Sequence, residues 1–476
     1  VGFGSVEQLP QERSREDMFQ YNVTTAVNTH QLLPKKWNLN IPFAYSISEQ
    51  KITPEYDPNN PDLKLKDAIN NANTQSEKDQ IKDRSVEYAK RTSINLIGVR
   101  KERSADQKAR FYNIENFTVS QSYNRLEQRN FEVEKYLDQQ SRTTLDYAYA
   151  FKPFEIEPFK KVSKNNYLKW LTDLNVNPLP SAVNFNSNII RQFNSQKYRM
   201  IDVEGIEIQP MYRRNYFFNY NYGLNFNLTK SINVTYNVTN SNIVKNYFNE
   251  DGRVNNDLGI WDGYFDIGNP NNRMQQFTLN YELPFNKFPF LQFLKSTYSY
   301  TGDYSWTRSS DAYSSIDYNG INYDLGNTIQ NANTHRLNTT LSMDKFYKYL
   351  GLVPSADKIK AKPKTPIARP QPGQKVERNK ELTDKERKDQ EEKEGSPAVD
   401  ALIRIITGVK NVNINYNETN GTVLPGFVPG LGFFGSSKPT IGFVFGDQSD
   451  IRYEAAKRGW LSEYPEFNQV YSQMNT

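Results

Sequence analysis

The stretch NYFFNYNYGLNFNLT, residues 215–229, splits in two when every second letter is read. Tyr216, Phe218, Tyr220, Tyr222, Leu224, Phe226 and Leu228 form one set, and Asn219, Asn221, Gly223, Asn225 and Asn227 form the other. Successive strand side chains point to opposite faces, so this is a strand with one aromatic face and one small, polar face. Thr229-Lys230-Ser231 supplies a tight turn. Ile232, Val234, Tyr236 and Val238 then alternate with Asn233, Thr235, Asn237 and Thr239. Both arms of the hairpin obey one rule. WNLNIPFAYSIS, residues 37–48, repeats it, with Trp37, Leu39, Ile41, Phe43, Tyr45 and Ile47 against Asn38, Asn40, Pro42, Ala44, Ser46 and Ser48. Such strands run about twelve residues, roughly twice the usual soluble length.

Weaker copies extend the pattern in both directions. Tyr21, Val23 and Val27 mark one strand, and Ile94 and Leu96 (or Ile97 and Val99) another. Phe117, Val119 and Tyr123 follow, then Leu145, Tyr147, Tyr149 and Phe151. Phe277, Leu279, Tyr281 and Leu283 precede Tyr298, Tyr300, Tyr304 and Trp306, and HRLNTTLSM and NVNINYN complete the set. The total is about a dozen strands. The connections alternate in character. One set is mostly shorter: 29–36, 102–110, 152–181, 229–231, 284–295 and 344–409. The other is longer and polar: 49–91, 125–141, 194–214, 243–273, 307–333 and everything after 419. Short turns on one side and long loops on the other are expected of an outer-membrane barrel, with the short side periplasmic.

Composition agrees. The chain has 476 residues, of which only 37% are hydrophobic, and no apolar run approaches the length of a membrane-spanning helix. Yet 13% are aromatic, with 31 Tyr and 28 Phe. A transmembrane barrel needs apolar residues only at alternate strand positions and places aromatics at its interfaces. Lipid requires every backbone polar group to be paired, so strands that meet it belong to a closed barrel. The expected fold is therefore all-β, an antiparallel barrel wall with short periplasmic helices and long extracellular loops. Trp37, Leu39, Ile41, Phe43, Tyr45, Phe218, Tyr220, Phe226 and Leu228 are expected to face lipid. Asn219, Asn221, Asn225, Asn227, Asn233 and Asn237 are expected to face the lumen.

The organisation reads as strands and loops over 1–353, a charged, Pro-rich insertion at 354–395, a short helix and a further strand over 396–421, and an apolar Gly/Pro loop with an extracellular region over 422–476. Helices are expected at Tyr167, Trp170, Leu171 and Leu174, at Val399, Leu402, Ile403 and Ile406, and from Asp344 to Leu350. The chain opens at Val1 without a signal-peptide pattern and reads as a mature segment or an excised piece.

Chemistry-bearing constellations are not legible. Cysteine is absent, which removes disulfides and thiolate metal sites. The two histidines, His30 and His335, have no acid or nucleophile pattern beside them. GDQSD, with Asp447 and Asp450, lacks calcium-loop spacing. The expectation is a non-enzyme with no cofactor and no metal. A net charge of +5 gives no case for nucleic acid. The Asn-x-Thr triplets at Asn22, Asn227, Asn233 and Asn237 follow from the alternation itself. The sharpest loop is TVLPGFVPGLGFFGSS, residues 422–437. Its Leu424, Phe427, Leu431, Phe433 and Phe434 cannot all face water cheaply, so it is expected to fold irregularly against the wall and constrict a passage; a plain packing loop is the alternative.

LPFNKFPFLQFLKSTYSYTGDYSW (283–306), LGNTIQNANTHRLNTTLSMDKFYKYLG (325–351), TVLPGFVPGLGFFG (422–435) and FGDQSD with RGWLSE (445–463) resemble the SprA/Sov family, the very large outer-membrane barrels of Bacteroidetes. LLPKKWNLNIPF and TPEYDPNNPD look similar too. The resemblance spans nearly the whole chain and suggests a segment of the later part of such a protein. It implies part of the type IX secretion translocon, which passes folded cargo and, in gliding bacteria, exports adhesins. Implied partners are secreted protein cargo, a PorV-type shuttle barrel, a periplasmic plug protein and outer-membrane lipid. The alternative is a complete, smaller outer-membrane pore or uptake barrel.

Overall fold

The computed structural model describes residues 15–159, 174–200, 207–249, 251–313, 316–352, 402, 405–464 and 472–475. One antiparallel sheet of fourteen strands organises them. We number its long strands β1 (Glu16–Asn28), β2 (Pro42–Pro54), β3 (Glu87–Lys101), β4 (Phe117–Arg129), β5 (Val133–Ala150), β6 (Ala182–Tyr198), β7 (Met211–Asn227), β8 (Ile232–Ile243), β9 (Asn269–Leu283), β10 (Leu294–Thr307), β11 (Asn327–Ser342) and β12 (Asn411–Phe427). Each pairs with the next along the chain. Two short strands complete the sheet: Leu39–Asn40 beside β3, and Ser472–Asn475 beside β12. β1 and Ser472–Asn475 stand at opposite ends of the order and do not pair, so the sheet is open among the described residues.

The long strands run from 12 residues in β8 to 18 in β5. A tilted strand crosses a bilayer in about 9–11 residues, so these are longer than a crossing requires. β7 and β8 form the expected hairpin, with Phe226 opposite Val234 and Asn225 opposite Thr235. The Thr229 hydroxyl accepts from the Ser231 and Ile232 amides and holds the turn.

The ambiguity between Ile94/Leu96 and Ile97/Val99 is resolved by a bulge. Leu96 pairs with Gln121 and Val99 with Val119, and Ile97 and Gly98 form the irregularity between them. Gly98 has φ +78 and donates its amide to Ser120 Oγ. The extra residue keeps Ile94, Leu96 and Val99 on one face.

Several expected boundaries move. The strand read from Trp37 begins later. Lys35–Trp37 is a 3-10 turn, and Asn38 sits in the left-handed region with φ 48, which breaks the extended run. Residues 125–141 are two strand ends and a tight turn, not a long loop. Asn130 Oδ1 accepts from the amides of Glu132 and Val133 across that turn. Charged residues there stay extended because they lie along strands rather than in a core; Arg125 and Glu127 pair with each other. Residues 55–86 hold a small hairpin and two helices, α1 (Leu65–Asn71) and α2 (Gln75–Ser85). Strand β12 continues through Thr422–Phe427, so Leu424 and Phe427 pair with β11 on either side of a register shift and do not lie in a loop. Pro425 and Gly426 fall at a register shift opposite Asn327 and Ile329, where a missing donor costs least.

The helix α3 (Met343–Tyr349) lies where a helix from Asp344 to Leu350 is expected. The expected helix around Tyr167, Trp170 and Leu171 and the insertion at 354–395 lie outside the described residues.

Candidate functional site: a loop layer on the aromatic face

Pairing register carries the two-face pattern across the sheet. Phe117, Tyr147, Phe185, Tyr222, Val238, Gln275, Tyr304, Asn331 and Thr422 form one cross-strand row. Their chain neighbours Thr118, Asp146, Asn186, Asn221, Thr239, Met274, Ser305, Gln330 and Val423 form the row behind it. Opposed residues share a face, so one side of the wall is aromatic and aliphatic while the other is mostly amide, hydroxyl and small. Phe43, Tyr45, Phe218, Tyr220 and Phe226 lie on the aromatic side. Asn219, Asn221, Asn225, Asn227, Asn233 and Asn237 share the opposite side, where Asn233 donates to Asn227 at 2.6 Å. Trp37, Ile41 and Leu228 fall outside the strands, and Leu39 lies in the short strand opposite Lys101.

The aromatic side is not uniform. On β11 and β12 it becomes polar, with Asn331, Asn333 and His335 facing Thr422, Asn420 and Glu418. Residues 428–461 lie over this polar part and reach across β10, β9 and β8 to Tyr220 on β7. Tyr304, Trp306, Ile329, Leu424 and Phe427 from the sheet pack with Phe443, Val444, Ile451 and Ala455, and Leu431 closes on the edge of that cluster. Phe433 stacks flat on Tyr220, with ring centroids 4.4 Å apart and planes 3° from parallel. The Tyr220 hydroxyl donates to the Phe433 carbonyl at 2.6 Å. Phe434 beside it stays 81% exposed.

Strand side chains bind this layer by its backbone carbonyls. Gln275 donates to Val444 at 2.7 Å. Asn331 reaches Phe443 and Asp447, and Asn333 reaches Gly446. Arg273, 1% exposed, donates to Asn240 Oδ1 at 2.8 Å and to the Phe434 carbonyl and Tyr222 hydroxyl at 3.0 Å. An irregular segment on a sheet leaves carbonyls that need partners, and these amides and this guanidinium supply them. Two glycines make room. Gly435 has φ +102, and a Cβ there would sit 2.6 Å from the Arg273 guanidinium. A Cβ at Gly302 would sit 2.2 Å from the Phe445 carbonyl oxygen.

A second loop, 244–268, covers the same side over β5 to β7. Arg191 lies between the rings of Tyr216 and Tyr264 and donates to the carbonyls of Tyr264 and Asp266. The Tyr264 hydroxyl meets Ser141 and Thr143 on β5. Lys245 of this loop pairs with Asp311 of the loop after β10, which holds the Asp311 carboxyl below its ordinary value.

The expected constriction loop is thus corrected in form: Leu424 and Phe427 belong to β12, while Leu431 and Phe433 lie in the irregular segment after it and seat on the aromatic side of the wall. Sequence reasoning missed Arg273, Gln275, Asn331 and Asn333. The available signal was their polarity at positions where the period-two pattern calls for apolar residues.

These features define a class: a broad, open antiparallel wall with one aromatic and one amide face, braced at one end by its own loops. A family model described as SprA_N, motility related/secretion protein, matches residues 1–69. That match supports the resemblance to the SprA/Sov family and ties the chain to motility and secretion. No match is found among curated proteins. No helix among the described residues is long and apolar enough to cross a membrane, which says nothing of crossing by strands.

Proposed function

We propose that this chain forms part of the wall of an outer-membrane channel that exports folded proteins by type IX secretion, including surface adhesins in gliding cells. The observation that carries this reading is the register, which keeps the aromatic residues of β1 to β10 on one side, interrupted in mid-strand by polar residues such as Gln121, Ser141, Thr143, Arg191, Arg273 and Gln275, and sets the asparagine-rich side behind it. An amide and hydroxyl surface suits a water-filled passage and is unfit for lipid; the aromatic side below the loop layer is its complement. The open order of the sheet favours a piece of a larger wall over a complete small pore. Secreted cargo meets the amide side, and a PorV-type barrel and a periplasmic plug are the partners that the family resemblance suggests. The loop layer then covers the aromatic side of β8 to β10 as far as Tyr236, Phe277 and Tyr300, and lipid meets the strand positions that it leaves uncovered.

The chain has no native cysteine, so single-cysteine labelling tests this cleanly. Asn225→Cys should react with a membrane-impermeant maleimide in intact outer membranes. Phe226→Cys should resist it and react with an apolar reagent. Equal reaction of both with the impermeant reagent would sink the membrane reading.

A further inference from the structure

On the aromatic side of β2 the apolar residues stop at Ile47, and Glu49 and Lys51 follow toward the long-loop end. The neighbouring strands carry Tyr88, Arg129, Lys135 and Lys197 at this height. Ile47 to Lys51 spans roughly 13 Å of strand. At a tilt of about 45° this is roughly 9 Å of height, the headgroup zone next to a lipid band. Helix α2 lies at this end and contributes Asp83 and Arg84. It starts with a capping box, in which the Thr74 hydroxyl accepts from the Glu77 amide and Glu77 accepts from the Thr74 amide.

Three arginines converge here on a cavity of about 740 Å³. Arg84 pairs with Asp57 at 3.0 Å, Arg129 pairs with Asp83 at 2.9 Å, and Arg199 donates to the Asp83 carbonyl at 3.0 Å. The Nε of each is buried without a hydrogen-bond partner. Burial pushes the Arg199 guanidinium below its ordinary value, and the Arg129 and Arg84 charges act in the same direction against the nearby carboxylates. Lys197 is already engaged by Glu134 and Glu207, while Lys135 on the rim has no ion pair among the described residues. The lining sets five basic side chains against Asp83, Glu127, Glu134 and Glu207, and Arg199 and Lys135 are the two without an ion pair among the described residues. That excess of positive charge fits an anion, and phosphate matches guanidinium forks best.

We propose that this cavity binds the phosphate of an outer-leaflet lipid headgroup and fixes the height of the wall in the membrane. This rests on reading the aromatic side as the lipid side. The test uses the protein purified in detergent and moved into nanodiscs of phosphatidylcholine, alone or doped with fluorescent phosphatidic acid. Wild type should enrich the doped lipid. Arg129→Gln with Arg199→Gln should lower its apparent affinity about tenfold, with heat-modifiable migration unchanged as the check on folding. The paired Lys variants, which keep charge but lose the fork, should recover only part of it. Inorganic phosphate competing as well as phosphatidic acid would overturn the lipid source. Entry into both nanodiscs without lipid preference, or preference unchanged in the Gln variant, would overturn this proposal alone. Failure to enter either would overturn the membrane reading beneath it.

Discussion

Replacing Gly435 by alanine should release the loop layer while leaving the sheet intact. Two costs add. A non-glycine residue at φ +102 is strained by about 1–3 kcal/mol. The new Cβ would also lie 2.6 Å from the Arg273 guanidinium, which is 1% exposed and has little room to retreat. Displacing it weakens charge-assisted bonds to the Phe434 carbonyl and Tyr222 hydroxyl, worth about 1.5–3 kcal/mol each when fully lost. With partial relaxation the net is about 3 kcal/mol, close to a hundredfold in the opening equilibrium. The assay is hydrogen exchange of the backbone over 428–446, with β7 and β8 as internal reference. Gly430→Ala is the matched control, because a Cβ there meets nothing within 4 Å and no positive φ is involved. We predict fast exchange in the first variant and native exchange in the second. Indistinguishable profiles would refute the argument that Gly435 and Arg273 hold the layer down.

Three further outcomes are expected. Tyr45→Arg, within the Phe43–Ile47 apolar run of β2, should cost roughly 2–4 kcal/mol, while Ala44→Arg on the other side is mild; guanidinium titration of the folded wall in vesicles checks the pair, and equal losses would contradict the face assignment. Thr74→Ala removes half of a capping box and should destabilise α2 by about 0.5–2 kcal/mol, seen as faster protease nicking near residues 72–86 with the sheet unaffected. The Lys245–Asp311 contact should loosen in acid. Asp311 has a depressed folded value, so its contribution is full above the ordinary carboxylate range and is lost as pH falls through the lower folded value. Asp311→Asn should abolish that pH dependence of exchange in residues 308–313, and a variant that keeps it would clear this pair of the role.

The local alternation by itself determined the strand class, the hairpin at 215–243 and the division of Phe226 from Asn225. Those follow from period two, which sequence displays directly. Sequence placed α3 within a residue because its stripe and ends are local too. It misjudged Trp37, because a single left-handed Asn38 interrupts an otherwise extended pattern. It overlooked the Thr74-Gln-Ser-Glu77 signature of α2 inside a polar stretch. Charge around Arg125 and Glu127 suggested a loop where two strands turn in three residues. What only the tertiary structure decided is the loop layer. Leu424 and Phe427 needed β11 and residues 443–455 to be buried, and Gly435 and Arg273 are 162 positions apart. Which side of a sheet a distant segment covers depends on pairing register and long-range packing, and neither is written in the segment's own composition.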